Sequence, residues 1–107
     1  MNVLMIDGSY WPDYQIPLSE IQSIDYRESF SRGSRTNGLG SFKLVEGHFN
    51  NSEYGAYLLY AYLKCDHHIV LNTHRGILVI NGETEEKTKE LYQTLKSCLP
   101  PGSSFLF

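Results

Sequence analysis

The chain lacks several things, and each absence excludes a class. No apolar run approaches the ~18 residues of a membrane-crossing helix, and the segment from Met1 to Asp7 has neither the basic start nor the long apolar stretch of a signal peptide. Only two cysteines occur, Cys65 and Cys98, in no CxxC or zinc-type spacing. They read as two buried thiols, with one strand-to-helix disulfide as the alternative and the redox compartment open. The first 26 residues contain no Lys or Arg, while Asp7, Asp13, Glu20 and Asp25 are acidic. The formal net charge of −3 gives no global attraction to nucleic acid or an anionic membrane.

What is present is one domain's worth of ordinary globular sequence: 107 residues, 41% hydrophobic, with eight tyrosines suited to half-buried strand surfaces. Residues 1–107 are expected to form a single soluble domain with its core in about 2–99 and a tail at 100–107. Asn2 to Ile6 reads as a strand ended by the turn pair Asp7-Gly8, and Tyr10 to Ile16 as its antiparallel return, with Pro12 at an edge or bulge. Ile21 to Phe30 is a further strand. Ser31 to Ser41, rich in Gly, Ser and Arg with only Leu39 apolar, reads as a loop. Phe42 to Phe49 and Tyr54 to Lys64 then form a hairpin, the second strand apolar on both faces as a central strand should be. His67 to Thr73 and Ile77 to Ile80 continue what reads as an antiparallel meander.

A C-terminal helix over about 84–99 carries the firmest local signals. Thr84 can cap it, and Glu85 and Glu86 match the positive end of its dipole. Thr88, Leu91, Tyr92, Leu95, Cys98 and Leu99 recur on one face, and Pro100-Pro101-Gly102 stops it.

This order, about seven antiparallel strands in two sheets and then one closing helix, is that of a mostly β, α+β pleckstrin-homology-like (PH-like) barrel. Ile16-Pro17-Leu18-Ser19-Glu20-Ile21-Gln22-Ser23-Ile24 resembles the entry of bacterial PH-like domains. Arg35-Thr36-Asn37-Gly38-Leu39-Gly40 followed by Gly47-His48-Phe49 is similar to their arginine–glycine–glycine loop and next strand. Ile69 to Thr73, Gly76 to Ile80, and Leu91-Tyr92-Gln93-Thr94-Leu95 resemble the late hairpin and the closing helix. The resemblance implies a binding or assembly module without a common enzymatic activity, often attached to larger membrane proteins.

Three candidate chemistries follow. Arg27, Arg32, Arg35 and Lys43 form a basic stretch able to clamp an anion, a partner's acidic strip or an anionic membrane; a solvated loop whose Arg35 bonds local carbonyls is the competing reading. His67, His68 and His74, with Cys65, are the residues a metal-dependent or small-ligand enzyme would use, but their spacing offers no third converging ligand. Gly33 to Gly38 has the glycines of a P-loop, yet Leu39-Gly40 stands where Lys-Ser/Thr is required. No catalytic residue, metal or cofactor is assigned. The leading expectation is a non-catalytic module that contacts a protein partner or its own copy through a strand edge or through the open barrel end beside the basic loop, helped by the aromatics of 42–49 and 54–64. No phosphoinositide headgroup is expected at the first hairpin, nor direct membrane contact without flanking segments.

Overall fold

The computed structural model describes residues 3–6, 14–30, 32–40 and 44–98. The expected Asp7-Gly8 turn, Pro12, Phe42, Lys43 and the tail lie outside them. Among the described residues the chain is mostly β with one C-terminal helix: β1 (Val3–Ile6), β2 (Tyr14–Pro17), a single 3-10 turn at Leu18–Glu20, β3 (Ile21–Arg27), β4 (Ser34–Gly40), β5 (Leu44–Asn51), β6 (Gly55–Tyr62), β7 (His68–Thr73), β8 (Gly76–Ile80) and α1 (Glu85–Cys98). Strands β1 and β2 pair antiparallel as a ribbon, and the others form a six-stranded sheet in the order β3-β7-β8-β6-β5-β4.

Two expectations need correction. Residues 31–41 are not all loop: Ser34–Gly40 is β4, paired along its length with β5, with an irregularity between Arg35 and Asn37. Its glycines have no strand preference, so the ladder to β5 imposes the conformation. The meander also breaks after β6. Strand β8 inserts between β6 and β7 and runs parallel to β6, with Leu58, Leu59 and Tyr60 opposite Leu78, Val79 and Ile80. The mostly β, α+β order with one C-terminal helix is as expected; the sheet is not closed by any ladder among the described residues, because β3 and β4 are its two edges.

Those edges are consecutive in the chain, and this forces curvature. A flat sheet of six strands is about 24 Å across at ~4.8 Å per gap. The path from Arg27 to Ser34 reaches about 24 Å only when fully extended, yet it bends at Glu28 and Ser29. The sheet therefore curls, and the link lies over one of its faces. Where the link enters β4, Gly33 takes a φ of +73°, and a Cβ there would stand 2.0 Å from the Asn50 carbonyl oxygen. Only glycine fits that approach.

Period-2 alternation gives the sheet two buried faces. Leu58 and Tyr60, Ile69 and Leu71, and Leu78 and Ile80 point to the side covered by Leu95, Leu91 and Tyr92 of α1 and by Leu4 and Ile6 of β1. Tyr57, Leu59 and Ala61, with Val70, Val79 and Phe49, point to the other, where Phe30 and Tyr54 pack. The doubly apolar reading of β6 thus has its cause in an internal strand covered on both sides. Helix α1 has the cap that its sequence promised, since the Lys87 amide donates to Thr84 Oγ1 at 3.1 Å. Among its described side chains Thr88 and Leu95 are buried.

Candidate functional site

The basic residues are placed by the link and the edges it joins. Arg27, the last residue of β3, donates to Glu53 Oε2 at 2.7 Å and to the Tyr54 hydroxyl at 2.9 Å. That hydrogen bond holds the Glu53 carboxyl below its ordinary range and raises the guanidinium in turn. Arg32 donates from Nη2 to the carbonyls of Tyr62 and Cys65, at 3.2 and 3.1 Å. Its own carbonyl accepts from the Tyr57 hydroxyl, a phenol that burial pushes up to about 12. Both guanidinium groups are thus engaged within the fold. Arg32 thus bonds backbone carbonyls within the fold. Arg35 itself lies on β4, where only the backbone is described.

The histidines diverge. Adjacent residues at the start of β7 face opposite ways, so His67 and His68 cannot share a ligand. His67 Nδ1 lies 2.6 Å from the Tyr26 hydroxyl, and its Nε2 is 3.8 Å from Glu85 at the start of α1. His68 is fully buried on the opposite face, its ring 5.0 Å from that of Phe30. The Asp66 carbonyl lies 2.8 Å from His68 Nδ1, and since a carbonyl only accepts, that nitrogen carries the proton. Nε2 has no hydrogen-bond partner among the described residues. Burial lowers the His68 pKa to about 4, so the ring is neutral at physiological pH. His74 is exposed at the far end of β7. Among the described residues no three His, Cys, Asp or Glu side chains group as metal ligands.

Cys65 is a free, buried thiol within 3.5 Å of Thr88 Oγ1. Next to it lies a residue that pattern reading missed. Asn81 accepts from the Tyr62 amide at 2.7 Å and donates to the Tyr62 and Cys65 carbonyls at 3.2 and 3.1 Å. Together with Arg32 it satisfies the backbone where β6 ends and the chain crosses to β7. Its position directly after β8 gives no local sign of this role. Glu46 was also overlooked: it is 4% exposed, and its parity with Leu44 on β5 was the available sign of an acid on an inward face.

The aromatics offered as an exposed surface mostly turn inward. Phe49, Tyr57 and Tyr60 are buried, and Tyr54 and Tyr62 are half-buried. What remains open is backbone, since among the described residues β4 pairs with β5 alone and β3 with β7 alone. No helix of the described residues is long and apolar enough to cross a membrane. A family model described as a bacterial PH domain matches residues 2–97. Comparison with curated proteins and with solved structures finds no match.

Proposed function

We propose that this chain, which belongs to the bacterial PH domain family, is a non-catalytic binding and assembly module working through protein–protein contacts, self-association included. The observation that carries this reading is the edge of β4, seven residues whose ladder, among the described residues, is on one side only. An unpaired edge offers amides and carbonyls to an incoming extended segment, which gains main-chain hydrogen bonds without needing a pocket. Arg27 and Arg32 support the same choice from the other side, because an anion would have to compete with bonds they already make. The divergent histidines leave a metal-dependent reaction without a converging set. Nucleic acid is outside the reading on net charge, and a phosphoinositide headgroup at the first hairpin is outside it because residues 1–26 carry no cation.

Light scattering across the micromolar to millimolar range, combined with hydrogen exchange, tests it. The expected result is a mass that rises with concentration while β4 amides gain protection. Substituting Leu39→Pro, which removes a backbone donor from β4, should reduce the association at least severalfold. A monomer throughout, with β4 exchange independent of concentration, overturns self-association. If extended peptides selected against the full chain then also fail to protect β4, the edge reading falls as a whole.

A further inference from the structure

His68 is the most deeply buried ionisable side chain among the described residues, 0% exposed. Its Nδ1–H is committed to the Asp66 carbonyl, and among the described residues its Nε2 has no hydrogen-bond partner. Phe30, from the link between Arg27 and Ser34, roofs the ring with 5.0 Å between centroids. The described residues of that link have no regular secondary structure, and Phe30 also packs on Tyr54 and Tyr57. A neutral ring suits this place, and a charged one does not.

We propose that the link is an acid-released strap: a proton taken up at His68 Nε2 lifts Phe30 and Arg32 off the sheet while the face under α1 stays folded. The inference is independent of the strand-edge reading. The added N–H is a buried donor without an acceptor, on a ring whose charge must be paired or returned to water. The groups around it mostly oppose that charge. On β3, Arg27 stands opposite His68 in register, with its guanidinium 5.9 Å from the Phe30 ring centroid. Arg32 of the link is a second cation and offers only donors; it works against the proton, as does His67. Asp66 favours the proton through its carbonyl and its charge, but burial outweighs both. On β6, Tyr57 is neutral and its hydroxyl donates to the Arg32 carbonyl, and β8 carries no charged residue. Lifting the link returns His68 to water for the loss of a few side-chain contacts. The Tyr62 and Cys65 carbonyls that Arg32 leaves remain bonded to Asn81, and the cluster under α1 keeps its packing.

NMR spectra of the full chain between pH 7.5 and pH 3.5 test it. The His68 ring signals and the amides of Glu28, Phe30 and Arg32 should move with one midpoint below about pH 5, the amides toward unfolded-chain shifts. The methyl signals of Ile69, Leu71 and Leu95 should stay in place. His68→Gln should keep the link closed over the whole range. Phe30→Ala, which removes the roof, should raise the midpoint by about one pH unit, a tenfold change in the opening equilibrium. Protonation of His68 with the link in place, no opening down to pH 3.5, an equal opening in His68→Gln, or loss of the helix-covered signals together with the link each overturns the proposal. An unmoved midpoint in Phe30→Ala does the same. Should His68→Gln not fold, the shared midpoint in the unaltered chain and its shift in Phe30→Ala decide the matter.

Discussion

The two faces of the six-stranded sheet are held by different physics. On the face toward α1 and β1, the contacts are made mainly by aliphatic side chains and three tyrosines, and stability scales with the apolar area withdrawn from water. Toward the link, the apolar patch is smaller and is bordered by directional contacts: Arg32 on the Tyr62 and Cys65 carbonyls, Tyr57 on Arg32, and His68 on Asp66. A helix can cover a sheet by matching one stripe of side chains to it. A short link without regular secondary structure has no such stripe, so its backbone must be pinned at particular atoms. The first face should therefore tolerate changes of pH and suffer from lost volume, and the second should show the reverse sensitivity.

The largest effect expected is on the helix-covered face. Ile69→Ala leaves a cavity at a fully buried position and should cost about 2–5 kcal/mol, read as a fall in the urea midpoint with an unchanged slope. The loss should be the same at pH 7 and pH 5; a pH-dependent loss would blur the distinction between the faces.

A somewhat smaller effect should come from His68. Its pKa is lowered by burial from 6.5 to about 4, so between those values the unfolded chain binds the proton that the folded one refuses. The stabilisation is complete above the unfolded value and fades as pH falls toward 4, by about 3 kcal/mol over the whole window. Urea titrations from pH 7.5 to 4 should show that decline, and His68→Gln should flatten it. An equal decline in the variant would assign the pH dependence to other groups.

The smallest effect belongs to the helix start. Thr84→Ala removes the cap on the Lys87 amide and should cost about 1 kcal/mol, with amide exchange accelerated in the first turn of α1 only. Faster exchange in the link as well would mean that the two faces are not independent.

Much of the helix-covered face was legible. The α1 signals are local: a capping hydroxyl, two acids in the first turn and an apolar stripe, all within one segment, and the helix found at Glu85–Cys98 follows them closely. The β5–β6 and β7–β8 hairpins were readable for the same reason, as short turns join strands that pair with each other. Strand β4 was not readable, because Gly38, Gly40 and Asn37 carry no strand preference and pair only because β5 is there. Nor was the link's latch, since Arg32, Tyr57, Asn81 and His68 are far apart in sequence and converge only when the sheet curls. The burial of Glu46 had one visible sign, its parity with Leu44, but no local pattern says that β1 and α1 come to lie above it.

Local chemistry along the chain was enough to settle the mostly β composition, the single capped helix and the two-sided burial of β6, because periodicity and capping act over a few residues. Tertiary structure alone decided that β8 lies parallel to β6, that β4 is a strand, and that His67 and His68 serve opposite faces. Those outcomes depend on which distant backbone groups find partners when the sheet bends, and no short segment carries that information.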